Sequence, residues 1–265
     1  METLETGPMV MGIVNVTPDS FSDGARFSSP EAAVARGRKL FDEGASVVDV
    51  GGESTRPGAD PVPVEEELAR VVDVVAGLAP YGRVSIDTTK PEVARAAAAA
   101  GADILNDVSA SLHEVAAELN VTWIAVHRQG TPATMQIAPQ YDDVVAEVRD
   151  FLAKAVERGR AAGVPEVWVD PGIGFGKTTS HNLELLANLR QFATLGAPVV
   201  LGASRKRFIG ELHAVSDGTG LEEVPTDDRL EGSLAAAAWA FAQGVSVMRV
   251  HDVTATVGAM KVAAA

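Results

Sequence analysis

Residues 166–179 read EVWVDPGIGFGKTT, a short apolar run that ends at Asp170 and continues into a glycine-rich bend. The bend looks like a phosphate-binding loop, but that loop requires a glycine where this chain has Pro171. Proline fixes φ and removes a backbone N–H, so it cannot replace that glycine. The bend's glycines are spaced G-x-G-x-G, which also differs from the dinucleotide fingerprint G-x-G-x-x-G. The stretch therefore predicts a strand that delivers an aspartate to a site, and it argues against both nucleotide-binding motifs.

Seven further runs of this kind occur along the chain, with helical segments between them. The eight predicted strands span residues 9–16, 46–51, 83–88, 103–108, 123–127, 166–171, 198–204 and 245–251. Between them apolar residues recur every three or four positions, and Gly44, Gly101, Gly159 and Gly244 are predicted helix ends. Eight β–α repeats predict an α/β fold, a single (β/α)8 (TIM) barrel domain over residues 1–265. A doubly wound open sheet is the alternative, but its glycine fingerprint is absent at the first strand.

The composition excludes several classes of protein. The chain contains no cysteine, which excludes disulfides, thiolate nucleophiles and cysteine zinc sites. Its net charge of −14 opposes binding to nucleic acid and to acidic membranes. The N-terminal segment lacks the pattern of a signal peptide, and no window reaches the roughly 18 apolar residues of a membrane span. We therefore expect a cytoplasmic protein that binds small molecules, with locally placed basic residues if the ligand is an anion.

Polar side chains stand at the carboxyl end of every predicted strand, where (β/α)8 barrels build their active sites. These residues are Asn15, Asp49, Asp87, Asn106, Asp107, His127, Asp170, Ser204, Lys206, Arg249 and His251. A single Asp or Asn at a strand end is commonly a helix cap or turn residue, and we assign that role to Asp49 and Asp107. Repeated on eight strands, with basic residues among them, the pattern predicts one converging site.

Two sets of groups make up this predicted site. Asp87, Asn106 and Asp170 suit a flat heterocycle with a guanidine-like N–H edge, because a carboxylate accepts two parallel N–H bonds. The second set suits an anion and consists of Asn15, Arg56, Lys206, Arg249 and His251. Asn15 also suits a hard cation that is shared with phosphate oxygens.

Eight motifs, spread over nearly the whole chain, resemble those of the dihydropteroate synthase family. They are NVTPDSFSDG (15–24), GGESTRPGA (51–59), SIDT (85–88), NDVSA (106–110), HRQGTPATMQ (127–136), DPGIGFGKTTSHN (170–182), SRKRFIG (204–210) and RVHDV (249–253). The resemblance implies a (β/α)8-barrel transferase of folate biosynthesis and a sulfonamide target. Such an enzyme joins 6-hydroxymethyl-7,8-dihydropterin pyrophosphate to p-aminobenzoate and releases pyrophosphate. The resemblance also implies Mg²⁺ as the cofactor and a cytoplasmic homodimer.

The resemblance further implies roles for individual residues. The pterin-binding residues would be Asp87, Asn106, Asp170 and Lys206. The pyrophosphate-binding residues would be Asn15, Thr55, Arg56, Arg249 and His251, with Asn15 also holding Mg²⁺. Phe175, Gly202 and Ser204 would complete the substrate-binding residues, with Phe175 and Ser204 beside p-aminobenzoate. The catalytic residues would be Asn15, Lys206, Arg249 and His251. Loops 17–29 and 53–63 would close over the substrates.

Two departures from the family pattern leave alternatives open. Val126 stands where methionine is common, and Arg128 follows His127 where methionine is more frequent. Both positions adjoin the implied pterin pocket. One alternative is therefore a paralogue that binds a pterin or folate with weak turnover. The other alternative is a pterin-dependent methyltransferase, because enzymes of that class hold the heterocycle with similar Asp and Asn residues, although that reaction has no use for a pyrophosphate site.

Overall fold

The computed structural model describes residues 9–16, 29–54, 59–131, 134–216, 218 and 225–265. These residues form the strands β1 Met9–Asn15, β2 Val47–Gly51, β3 Arg83–Asp87, β4 Ile104–Asp107, β5 Thr122–Val126, β6 Val167–Asp170, β7 Val200–Leu201 and β8 Val247–Val250. They also form the helices α1 Pro30–Asp42, α2 Val64–Leu78, α3 Pro91–Ala99, α4 His113–Leu119, α5 Val144–Ala162, α6 Thr179–Ala187, α7 Leu189–Ala193, α8 Arg207–Ser216, α9 Leu230–Ala242 and α10 Val253–Ala263. In this part of the chain no helix is long and apolar enough to cross a membrane.

The eight strands form one parallel sheet in the order β6-β5-β4-β3-β2-β1-β8-β7. A parallel bridge between Val169 and Val199 joins its two edges, and Val169 N–H donates to the Pro198 carbonyl at 3.0 Å. The sheet is therefore a nearly closed barrel with helices between its strands. The predicted (β/α)8 barrel is confirmed, and the open-sheet alternative is wrong. That residues 1–265 form a single domain stays a prediction.

Alternation along the strands separates a small interior cluster from a large outer one. The interior cluster includes Val47, Ile104, Trp168 and Val247, whereas neighbouring strand residues pack outward with the helices. Two residues farther along the same four strands come Asp49, Asn106, Asp170 and Arg249. Because side chains alternate across a strand, these four polar residues also belong to the interior face. The apolar interior thus gives way to polar side chains toward the carboxyl end of the barrel.

Strand β7 is much shorter than the predicted run over 198–204. Val200 and Leu201 pair with β8, and the chain then leaves the sheet at Gly202. The residues from Gly202 to Lys206 form the connection to α8 and carry several of the predicted site residues. The shortened strand therefore places these residues in a loop above the barrel.

The predicted helix ends are correct at three of the four glycines, each of which follows its helix with a positive φ. The exception is Gly159, which lies inside α5, while Gly163 caps the end of α5 with a φ of +87°. A Cβ atom on Gly159 would lie 2.6 Å from Val167 Cγ2 and 3.2 Å from Trp123 Cε3. The glycine thus allows α5 to pack closely against β5 and β6.

Asp107, at the end of β4, is fully buried and organises the loop that follows it. Its carboxylate accepts from the backbone N–H groups of Ser109, Ser111 and Leu112, each at 2.8 Å. It also accepts from Trp123 Nε1 at 3.2 Å. The predicted turn role of Asp107 is confirmed, whereas α4 has no side-chain cap at its N-terminus.

We expect Asp107→Ala to lower the free energy of unfolding by about 3 kcal/mol or more, because several buried donors lose one shared acceptor. Asp103→Ala is the matched control, since Asp103 is half-exposed and makes a surface ion pair with Arg83 at 3.3 Å. Its loss should cost about 0.5 kcal/mol or less. Urea denaturation of both variants measures the two values. Equal losses would contradict the structural role of Asp107.

Candidate active site

Four strands bring a buried charge cluster to the carboxyl end of the barrel. Arg249 on β8 donates from Nε to Asp49 Oδ2 on β2 at 2.7 Å. Its Nη2 donates to Asp87 Oδ2 on β3 at 2.8 Å. Asn106 on β4 donates from Nδ2 to the same Asp49 oxygen at 3.2 Å. Arg249 therefore crosses the barrel interior to two strands that are not its neighbours in the sheet.

Asp49 has the position of an interior residue, and the predicted cap or turn role is wrong. It lies in the middle of β2, and α2 begins only at Val64, so Asp49 adjoins no helix N-terminus. Every residue of β2 is buried. A carboxylate within such a strand requires a charged or hydrogen-bonding partner. An aspartate inside an apolar strand was therefore the signal in the sequence for a buried ion pair. In the structure its partner is Arg249.

Asp49 and Asp87 each retain one carboxylate oxygen, Oδ1, that is buried and has no hydrogen-bond partner in the described part of the chain. Burial raises the pKa of Asp87 to about 7, while the nearby guanidinium of Arg249 opposes that rise. Buried acceptors normally have a donor. The second oxygen of Asp87 is therefore suited to a ligand that donates an N–H or O–H group.

Asp170 lies at the end of β6 and faces the same opening. Its Oδ1 accepts from the backbone N–H of Gly172 at 2.7 Å. A Cβ atom on Gly202 would lie 3.8 Å from Asp170 Oδ2 and 3.9 Å from Arg249 Cδ. Burial raises the pKa of Asp170, and Lys206 lowers it to a smaller extent. The absent side chain of Gly202 thus leaves space between Asp170 and Arg249.

Lys206 brings a second, partly buried cation to this space. Its ammonium lies 4.3 Å from the centre of the Phe175 ring and donates to the carbonyl of Ile173. Burial lowers the pKa of Lys206 to about 8, although Asp170 acts in the opposite direction. Lys206 and Phe175 therefore form one side of the opening, next to the carboxylate of Asp170.

Further observations locate the predicted site residues Ser204, His251 and Asn15. Ser204 Oγ lies 3.1 Å from His251 Nδ1 and accepts from the His251 backbone N–H at 3.3 Å. Asn15 ends β1, and a Cβ atom on Gly51 would lie 3.5 Å from Asn15 Oδ1 and 3.9 Å from Asp87 Oδ2. Ser204 and His251 thus join the loops after β7 and β8, while Asn15 and Asp87 lie on either side of Gly51.

Some predicted site residues cannot be placed. Thr55 and Arg56 lie outside the described residues, as do residues 17–28 of the first predicted loop. Among the residues that are described, no group of three or more His, Cys, Asp and Glu side chains could hold a metal ion. The assignments of Thr55, Arg56 and the two loops stay predictions.

The glycine-rich bend encloses the ammonium group of Lys177. This lysine residue is only 2% exposed. Lys177 Nζ donates to the carbonyls of Gly172 at 3.0 Å and Phe175 at 3.1 Å, and it lies 2.9 Å from His127 Nδ1. Burial lowers the pKa of His127 to about 3, with a further contribution from Lys177, so His127 is neutral. A Cβ atom on Gly172, where φ is +68°, would overlap the carbonyl oxygen of His127. The lysine of this motif therefore holds the loop together and does not reach toward a phosphate.

The fold and this site together define a ligand-binding enzyme of the (β/α)8-barrel class. A family model described as pterin binding enzyme matches residues 11–251. The dihydropteroate synthase of Escherichia coli is 47% identical over 96% of this chain and 90% of its own length. The chain belongs to the dihydropteroate synthase family, which makes it a transferase.

Solved structures agree with this assignment. A Yersinia pestis dihydropteroate synthase in a sulfonamide drug complex has a TM-score of 0.90 and 41% identity, and the match covers 97% of this chain and 94% of that one. The Xanthomonas albilineans enzyme with 4-aminobenzoic acid has a TM-score of 0.86 and 49% identity, with coverages of 97% and 92%. The Thermus thermophilus enzyme in complex with 6HMPPP has a TM-score of 0.81 and 40% identity, with coverages of 97% and 93%.

The raised pKa of Asp87 predicts a specific pH dependence of stability. In the unfolded chain an aspartate titrates near pH 4, whereas folded Asp87 titrates near 7. Its contribution to stability is therefore complete below about pH 4 and is lost as the pH rises toward 7. Relative to Asp87→Asn, the wild type should lose about 1 kcal/mol or more between pH 5 and pH 8. Chemical denaturation of both proteins at the two pH values measures this difference, and a difference that does not change with pH would contradict the assignment.

Proposed function

We propose that this chain forms 7,8-dihydropteroate and pyrophosphate from 6-hydroxymethyl-7,8-dihydropterin pyrophosphate and p-aminobenzoate. The observation that carries the proposal is the set of buried acceptors Asp87, Asn106 and Asp170 at one end of the barrel, with Asp87 Oδ1 still lacking a donor among the described residues. Solved relatives bind 4-aminobenzoic acid and 6HMPPP, which supports the two substrates.

The pterin ring would bind to Asp87, Asn106, Asp170 and Lys206. A pterin presents an amino group and ring N–H groups along one edge, and a carboxylate can accept two such bonds side by side. Asp170 Oδ2 borders the space that Gly202 leaves, so it is available to that edge. All three acceptors are at least nine-tenths buried, and hydrogen bonds in such surroundings are stronger than in water.

The pyrophosphate would bind to Asn15, Thr55, Arg56, Arg249 and His251. In the described residues, Asn15 and Asp87 lie on either side of Gly51, and β1, which ends at Asn15, pairs with β8, which carries Arg249. Arg249 also contacts Asp87 directly. The anion and the ring would therefore meet at Arg249, as a ligand that contains both groups requires.

Mg²⁺ is the proposed cofactor, and Asn15 suits it. The Asn15 amide oxygen is a hard donor, and the glycine at position 51 leaves room beside it. Mg²⁺ commonly binds through one or two protein oxygens together with substrate phosphates and waters. That mode of binding agrees with the described part of this chain, in which no cluster of three acidic or histidine ligands occurs. The ion would neutralise charge on the pyrophosphate oxygens.

The proposed reaction is a substitution at the pterin methylene carbon. The bond from this carbon to a pyrophosphate oxygen breaks, a bond to the arylamine nitrogen forms, and the amine loses a proton. Arg249 and His251 would stabilise the charge that gathers on the leaving pyrophosphate. Phe175 and Ser204 would position p-aminobenzoate, with its carboxylate near the N-terminus of α8. No nucleophilic side chain is required.

The alternative functions explain less of the site. A paralogue without turnover is not expected to retain Asn15, Lys206, Arg249 and His251 together, yet all four are present at the barrel opening. A pterin-dependent methyltransferase has no leaving pyrophosphate for these residues to bind. Val126 is buried in the interior cluster, so it would supply the pterin pocket with an apolar wall in place of methionine.

The proposal includes a homodimer and sulfonamide sensitivity. Helix α9 carries no charged residue after Glu231, and its Trp239 is 49% exposed. A helix that is apolar on all sides is usually covered on all sides, which supports a second subunit at this surface.

The sulfonamide complex of the Yersinia relative supports drug binding. A cytoplasmic location stays a prediction from the sequence.

The function is tested by turnover of the purified protein with both substrates. We expect labelled p-aminobenzoate to enter dihydropteroate in the presence of Mg²⁺, EDTA to stop product formation, and added Mg²⁺ to restore it. The gene should also complement a folate-auxotrophic strain. Binding of the pterin pyrophosphate without product would contradict the proposal and favour the paralogue.

We expect Asp170→Asn to lower kcat/KM on the order of a hundredfold or more, a loss of about 3 kcal/mol. The amide keeps one acceptor, but its NH₂ group opposes the donors of the pterin edge. Asp150→Asn on the exposed face of α5 is the matched control and should retain full activity. Calorimetric titration with the pterin pyrophosphate measures the affinity of each variant. An unchanged affinity in Asp170→Asn would remove this residue from the ring site.

A further inference from the structure

Arg205, in the connection between β7 and α8, is held at three points by other parts of the fold. Its side chain makes a bidentate ion pair with Asp252, with Nε to Oδ2 at 2.9 Å and Nη2 to Oδ1 at 2.6 Å. Its backbone N–H donates to Ser233 Oγ at 2.9 Å. Its carbonyl accepts from Arg229 Nη1 at 3.1 Å, and Ser233 and Arg229 are themselves buried.

The backbone of Arg205 has a φ of +58°, in the left-handed region. A residue with a long side chain rarely adopts this conformation, and it persists where surrounding contacts hold it. The flanking residues are Ser204, which contacts His251, and Lys206, which lies over Phe175. The unusual turn at Arg205 therefore sets the directions of two predicted substrate-binding side chains.

The ion pair joins the two loops that carry these side chains. Asp252 directly follows His251 after β8, and Arg205 directly follows Ser204 after β7. The two side chains are 19% and 22% exposed, so the pair is largely shielded from solvent. A planar guanidinium bound through two nitrogens has a fixed orientation, which a single contact would not impose.

We propose that Arg205 and Asp252 are positioning residues for the transfer reaction, an inference that rests on the proposed function. Their ion pair holds the loops after β7 and β8 at a fixed separation, so that Lys206 and His251 act on the same bound substrate. Neither Arg205 nor Asp252 needs to contact that substrate. A substitution at carbon depends on the alignment of the leaving group and the incoming amine, so a small shift between the loops lowers kcat.

The test uses Asp252→Asn, Arg205→Asn and the double variant. Asparagine tolerates a positive φ, so Arg205→Asn removes the ion pair with little added backbone strain. We expect each single variant to lower kcat about tenfold or more, and the double variant to be no worse than either single one. Affinity for 6-hydroxymethyl-7,8-dihydropterin should fall less than kcat, because Asp87, Asn106 and Asp170 lie outside the two loops and only Lys206 among the ring-binding residues is displaced. Arg205→Lys, which keeps the charge but not the two-pronged geometry, should recover part of the loss.

Glu118→Gln is the matched control. Glu118 also makes a bidentate ion pair, with Arg95 at 3.0 and 2.7 Å, but this pair is exposed and joins α3 to α4. Its removal should leave kcat unchanged. Thermal unfolding of every variant shows that the kinetic measurements are made on folded protein.

The outcomes separate this inference from the proposed function. A wild-type protein that forms no dihydropteroate would overturn both. An active wild type together with an unchanged kcat in folded Asp252→Asn would overturn the positioning role alone. Additive losses in the double variant would also overturn it, because the two residues would then act independently.

Discussion

The candidate site depends on the guanidinium of Arg249, which lies between Asp49 and Asp87 and is largely shielded from solvent. Burial alone would lower the pKa of Arg249, but the two carboxylates outweigh it, so the pKa lies above the usual value of an arginine. Removing one partner from such a pair leaves a charge that is buried and uncompensated. The same contacts join β8 to β2 and β3 across the barrel interior, so one interaction couples the electrostatics of the site to the closure of the fold.

Around Arg249, acidic and basic side chains lie close together. Asp170 and Lys206 shift each other's pKa values in opposite directions, and each shift is dominated by burial. Buried charges persist when they are paired or hydrogen-bonded. The overall charge of −14 would repel an anionic substrate, so binding depends on these few local cations. These local basic residues therefore serve the site, although the protein as a whole carries a net negative charge.

The loops that complete the site are held by contacts of their own. Lys177 binds the glycine-rich bend from inside, through carbonyl groups and the neutral ring of His127. Arg205 and Asp252 link the loops after β7 and β8. Loops positioned by a rigid scaffold commonly carry function, and internal ion pairs and ammonium contacts supply that rigidity here.

The sequence by itself determined the barrel and the polar ring at its carboxyl end. Strand and helix periodicity are local, so eight β–α repeats could be read from the chain, and polar residues at the strand ends, among them Asn106, Asp170 and Arg249, predicted one converging site. Gly159 was misread as a helix end because a close helix–strand contact and a helix terminus both favour glycine, and local pattern does not distinguish them.

The tertiary structure alone decided which of these groups meet. Asp49 and Arg249 are 200 residues apart, and Arg205 and Asp252 are 47 apart, so their pairing follows from closure of the barrel. The burial of Lys177 likewise depends on the approach of His127 from a different strand end. A contact between distant residues requires the whole fold to bring them together, and no local pattern in the sequence records it.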